Sequence, residues 1–126
     1  TAMRVLAQGL LDMKLLSGSL EQALETEAYK PFTLHKTGHW MGLDVHDVGA
    51  YQDSKGDWLS LQPNMVFTIE PGLYFPAHRD DIPDAFKGMG VRIEDDILVT
   101  DDGHQNLSKG APRNIRDLEA IIGSAC

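Results

Sequence analysis

Apolar residues recur at helical spacing from the start of the chain. Val5, Leu6, Leu10, Leu11, Leu15 and Leu16 predict an amphipathic helix over residues 3–16, ended by Ser17-Gly18-Ser19. Ser19-Leu20-Glu21-Gln22 then has the form of a capping box, with Glu21 in the first turn. It predicts a second helix running to about Tyr29 and stopping before Pro31. From Phe32 the character changes to histidine, glycine, aromatic and β-branched residues, the composition of strands and tight connections. Residues 65–70 (MVFTIE) predict a strand closed by Pro71-Gly72, and residues 90–100 predict one long strand. Residues 76–87, charged and with two prolines, predict a loop, and Asp101-Asp102-Gly103 a hairpin-type turn. Apolar residues at 115, 118, 121 and 122 predict a short terminal helix, opened by Pro112 or Asn114. Two helices, then strands, then a helix make an α+β chain, with no internal repeat or low-complexity segment.

Composition narrows the class. The chain has 126 residues, 42% hydrophobic and 24% charged, as in a globular domain. A net charge of −8 argues against nucleic-acid binding. No apolar run is long enough to span a bilayer, so no membrane partner is expected. The N-terminus lacks the order of a signal peptide, and it starts in mid-helix without an initiator Met, which suggests a segment upstream. The one cysteine, Cys126, cannot form an intrachain disulfide, which fits a reducing, cytoplasmic setting.

Candidate chemistry begins in the strands. Alternation puts Met65, Phe67 and Ile69 on one face of the first strand and Val66, Thr68 and Glu70 on the other. In the second, Arg92 and Glu94 share a face opposite Val91 and Ile93. A carboxylate among such neighbours must be paired, metal-bound or solvated. For Glu70 alone a solvated strand end is the simpler reading; for Glu94, solvent or an ion pair with Arg92. Three of the five histidines, His35, His39 and His46, fall within twelve residues. Histidines with carboxylates and no nearby thiol suit Mn²⁺, Co²⁺ or Zn²⁺. The residues by themselves point to a metal hydrolase and go no further.

The segments HKTGHWMGLDVHDVG (35–49), MVFTIEPGLYF (65–75) and GMGVRIEDDILVT (88–100) resemble, in order and spacing, three motifs of aminopeptidase P and prolidase, the "pita-bread" metallopeptidases. Trp40 and the 87–100 stretch look closer to aminopeptidase P. The resemblance implies the C-terminal half of a pita-bread catalytic domain over residues 1–126: two helices, a curved antiparallel sheet and a short terminal helix. It implies His39 and Glu70 as metal ligands and Glu94 as the glutamate bridging two divalent ions, with Mn²⁺ foremost. Glu70 would also handle the proton of the attacking water, and His46 would stabilise charge on the scissile carbonyl. His35 would line the proline side, and Arg92 would orient groups near the metals. The implied reaction is removal of the residue preceding proline from a peptide N-terminus; dipeptide hydrolysis and a non-catalytic binding module are the alternatives.

One departure matters. The family's two aspartate ligands, from the first half of its catalytic domain, have no counterpart in 1–34, where Asp12 lies mid-helix. The chain alone is therefore expected to bind two ions poorly, to show little turnover and to self-associate. Other residues read as structural. Trp40 and Trp58 suit packing or a pocket wall, His78, His104 and Arg79-Asp80-Asp81 suit solvent, and Asp44 and Asp47 suit turns or histidine partners. Gly72, Gly88 and Gly90 suit special backbone conformations.

Overall fold

A computed structural model describes residues 1–123; Cys126 lies outside the described residues. In chain order the elements are α1 (Ala2–Asp12), α2 (Leu20–Glu25), a 3₁₀ turn (Lys30–Phe32), β1 (Val66–Ile69), β2 (Gly72–Phe75), β3 (Met89–Arg92), β4 (Asp95–Thr100), β5 (Gly103–Asn106) and α3 (Ile115–Ile121). They fall into two compact units, Thr1–Gly38 with Glu70–Glu94, and His39–Ile69 with the residues from Asp95 onward. No helix among the described residues is long and apolar enough to cross a membrane.

In the first unit both helices end earlier than their apolar pattern predicts. Lys14 takes a left-handed conformation (φ 59°); its N–H donates to the Leu11 carbonyl and that of Leu15 to the Leu10 carbonyl, both at 2.9 Å. This is a Schellman termination without glycine. The chain reverses, so Leu15 and Leu16 return to the core although they are no longer helical. The second helix ends the same way at Glu27 (φ 52°), with Ala28 N–H donating to Ala23 at 3.0 Å. Its start follows the capping-box reading, since the Ser19 hydroxyl accepts from Gln22 N–H at 3.1 Å.

The core of this unit is Leu10, Phe32, Phe75 and Ile82, flanked by Leu73 and Phe86. Two of these come from the 76–87 loop, which is thus anchored and not merely solvated. Arg79 lies over the Phe32 ring at 4.5 Å, donates to the Pro31 carbonyl at 3.3 Å and pairs with Asp81. The Asp81 partner raises the Arg79 pKa, and Arg79 in turn holds the Asp81 carboxyl below the usual carboxylate range.

The strands are antiparallel but do not form one sheet. In the first unit β2 pairs with β3, matching Gly72 with Arg92 and Tyr74 with Gly90. In the second, the order is β1-β4-β5, matching Val66 with Leu98 and Val99 with His104. The predicted strand over 90–100 is therefore two strands, broken at Ile93-Glu94. The first strand ends before Pro71, as predicted, and Gly72 then opens the separate strand β2 of the other sheet. The turn at 101–103 leads into β5, whose polar sequence His104-Gln105-Asn106 carries no strand signal. The terminal helix forms with Asn114 accepting from Asp117 N–H at 2.9 Å. None of its side chains is fully buried, and of its apolar stripe Leu118 is half-buried while Ile115 and Ile121 are exposed.

Candidate metal centre

The β2–β3 register explains how two carboxylates far apart in sequence meet. Gly72 pairs with Arg92, and Ile93 N–H donates to the Pro71 carbonyl at 3.4 Å. Continuing that register one step sets Glu70 across from Glu94. The Glu70 backbone is held by its N–H donating to the Thr37 carbonyl at 2.9 Å. Its side chain, in a residue only 8% exposed, has Arg92 Nη1 and His35 Nδ1 each at 3.8 Å from Oε2. The solvated reading of Glu70 therefore fails, and Arg92 approaches Glu70, the cation a buried carboxylate needs. Glu94 is exposed.

His39 is placed by a second ladder. Its N–H donates to the Thr68 hydroxyl at 3.1 Å, while Thr68 N–H donates back to the His39 carbonyl at 2.9 Å. Met41 N–H continues the pairing to the Val66 carbonyl at 3.0 Å. This ladder covers the Thr68 face of β1 and leaves Ile69 open. Thr68 is 1% exposed whereas Ile69 is 42% exposed. A satisfied hydroxyl can be buried without penalty.

The His39 ring is also oriented. Nδ1 lies 2.9 Å from the Trp40 carbonyl, an oxygen that can only accept, so Nδ1 carries the proton and Nε2 keeps a lone pair. Metal-binding imidazoles are prepared in this way. The first unit thus offers two facing carboxylates, Glu70 and Glu94, and the second unit offers the His39 imidazole. One imidazole and two carboxylates suit a divalent ion of the Mn²⁺, Co²⁺ or Zn²⁺ kind. The donor set fits such an ion.

The other sequence-predicted residues divide. His46 is exposed and meets His39 edge-to-face, with ring centroids 4.1 Å apart. His35 Nδ1 lies 2.6 Å from the Lys36 carbonyl, and Nε2 lies 2.7 Å from the Tyr74 hydroxyl. Trp40 packs on Tyr51 and Phe67, with centroids at 5.5 and 6.1 Å, while Trp58 is 77% exposed. His78 and His104 are exposed, as expected. Asp47 serves a turn, accepting from Val48 N–H at 2.7 Å. Next to Glu94, Asp95 is gripped by Arg113 Nη1 at 2.7 and 2.5 Å from its two oxygens. The Asn106 side chain above all, then Ser108 and Arg113, holds the Asp95 carboxyl below the usual range, against a smaller effect of burial.

Sequence reasoning did not single out Thr68 or Tyr74. Their signals were present in the alternation of β1 and in the pairing of a tyrosine with small residues, but only the strand register gives those signals meaning.

With this geometry in hand, the comparisons are decisive. The model of metallopeptidase family M24 matches residues 2–101. The chain belongs to that family. It is 48% identical to Xaa-Pro aminopeptidase 1 of Streptomyces coelicolor, covering 92% of this chain and 24% of that protein. It is 43% identical to an Xaa-Pro aminopeptidase of Haemophilus influenzae, covering 94% and 27%. Among solved structures, an aminopeptidase of Pseudomonas aeruginosa superposes with a TM-score of 0.89 at 42% identity, over 94% of this chain and 26% of that one. The α+β pita-bread class expected from the motifs is thereby borne out. The chain spans about a quarter of the length of the curated relatives it matches.

Proposed function

We propose that this M24 chain is the C-terminal part of a catalytic domain that removes the N-terminal residue from peptides with proline in second position. The observation that carries the reading is the facing of Glu70 and Glu94 across the β2–β3 register beside Arg92, together with a His39 ring already in the tautomer a metal ligand needs. The names and similarity of its M24 relatives support the choice of reaction.

In this reading His39, Glu70 and Glu94 would hold the divalent ions, with Mn²⁺ the preferred metal. When bound, such ions supply water activation and carbonyl polarisation at neutral pH. Glu70 accepts the proton released by the attacking water. Arg92, 3.8 Å from the Glu70 carboxylate, orients it. His46 donates to the negative charge that builds on the scissile oxygen. His35 lines the side that receives proline. An X–Pro bond is a tertiary amide with its own geometry, which favours a dedicated site. The two further carboxylate ligands that such a centre needs belong to a part of the protein outside these residues. Operation in the cytoplasm, without nucleic-acid or membrane partners, completes the proposal.

The test is calorimetric titration of the 126-residue chain with Mn²⁺, wild type and Glu94→Ala, beside an Xaa-Pro peptide hydrolysis assay. Weak binding of about one ion, abolished by the substitution and without turnover, is the expected outcome. Tight binding of two ions with full turnover would show instead that this chain is a complete enzyme. Binding unchanged in Glu94→Ala would remove Glu94 from the centre.

A further inference from the structure

Tyr74 has no role in the reading above, yet its surroundings are built around it. Its ring lies on a floor of two glycines: Gly90, its partner in the β2–β3 register, and Gly72, two residues earlier on the same face. A Cβ at Gly90 would stand 2.8 Å from Tyr74 Cδ1, and one at Gly72 would stand 2.9 Å from the Tyr74 hydroxyl and from Cε2. Neither glycine has the positive φ that would demand glycine for conformational reasons, in contrast to Gly88 at φ 77°. What both supply is the absence of a side chain where the tyrosine lies.

That floor directs the hydroxyl to His35. The phenol oxygen is 2.7 Å from Nε2, and the two rings meet edge-to-face with centroids 5.4 Å apart. On the other side of the imidazole, Nδ1 is 2.6 Å from the Lys36 carbonyl, with a Glu70 oxygen at 3.8 Å. A carbonyl and a carboxylate only accept, so the proton sits on Nδ1. In the neutral ring Nε2 is then an acceptor, and the one donor that the geometry offers it is the Tyr74 O–H.

We infer that Tyr74 is a positioning residue that, with the Lys36 carbonyl, holds His35 as the Nδ1–H tautomer with both ring nitrogens satisfied by the protein. His35 then has no hydrogen-bonding nitrogen left for a ligand and offers only its carbon edge and ring face. Resting on the proposed function, this makes His35 an apolar wall for a pyrrolidine ring and leaves hydrogen bonding to other groups. The tautomer itself does not depend on that reading, so its test needs neither metal nor substrate.

The experiment is ¹⁵N NMR of the His35 ring in the metal-free 126-residue chain, at a pH where the ring is neutral. Wild type, Tyr74→Phe and Gly90→Ala are compared, with His35→Gln used to assign the signals. Wild type is expected to show a protonated Nδ1 and an Nε2 resonance displaced by an accepted hydrogen bond. In Tyr74→Phe, Nδ1 stays protonated and Nε2 moves toward the position of a free lone pair. Gly90→Ala, which pushes the ring off its floor, gives the same Nε2 movement. A proton on Nε2 in wild type, or an Nε2 resonance unmoved by Tyr74→Phe, overturns the inference. Should Gly90→Ala fail to fold, Tyr74→Phe decides alone, since it keeps the ring and removes only the hydroxyl. If the tautomer is as inferred but the whole protein does not cleave Xaa-Pro peptides, only the reading of His35 as a proline wall is lost.

Discussion

Thr68 shows how a small buried group holds a candidate ligand. Its hydroxyl accepts the His39 N–H, and its own N–H returns a bond to the His39 carbonyl, so the backbone of the imidazole is tied on both sides of one residue. Valine has nearly the same shape but no acceptor, and would strand the His39 N–H in a place where Thr68 is only 1% exposed. Thr68→Val is therefore expected to destabilise the fold by about 1–3 kcal/mol, read from urea unfolding. It should also weaken Mn²⁺ binding, because the His39 backbone loses its anchor. Thr68→Ser, which restores the oxygen, should recover most of both losses. If Val and Ser variants behave alike, the hydroxyl is not what holds His39.

The helix ends show why apolar periodicity overruns an element. Leu15 and Leu16 continue the apolar spacing of α1, and the absence of glycine at position 14 removes the usual stop signal. The chain stops regardless, because a left-handed Lys14 lets Leu15 fold back against the core that contains Leu10. An L-residue with a Cβ is strained in that conformation. Lys14→Gly should accordingly raise stability by roughly 0.5–1 kcal/mol, with Lys14→Ala close to neutral, as measured by chemical denaturation. A loss of stability in the glycine variant would mean that Lys14 contributes through its side chain instead. The same scale explains the misread strands. Register, not composition, separates β3 from β4 and makes a strand of the polar β5.

At the scale of the whole molecule, much apolar surface is uncovered. All four residues of β3 are exposed, with Val91 63% exposed, and Leu43 and Val48 are almost wholly so. The β2–β3 sheet has only two strands, an arrangement that is marginal in water unless something packs on it. Uncovered apolar surface and open strand edges drive association. The isolated chain is thus expected to form dimers or larger species at micromolar concentration in sedimentation velocity. A monodisperse monomer under those conditions would count against this expectation. Co-expression with the remaining part of a catalytic domain, if the proposal holds, should suppress the association.

The amino-acid sequence determined the α+β order, the start of the second helix and the turn at 101–103, and it carried the motifs whose resemblance implies His39, Glu70 and Glu94 as ligands. These are local or compositional properties: a capping residue, a turn dipeptide, or a motif in which residue types recur at set spacing. Only the tertiary structure decided that Glu70 is buried beside Arg92, since burial depends on what the rest of the chain lays over a position. It alone decided that Glu70 stands opposite Glu94, because register is set by pairing between strands and not within one. The roles of Gly72 and Gly90 were hidden for the same reason. In the sequence they read as backbone-conformation residues, whereas the structure uses them as empty space beneath Tyr74. A missing side chain has meaning only once the neighbour that fills its volume is known.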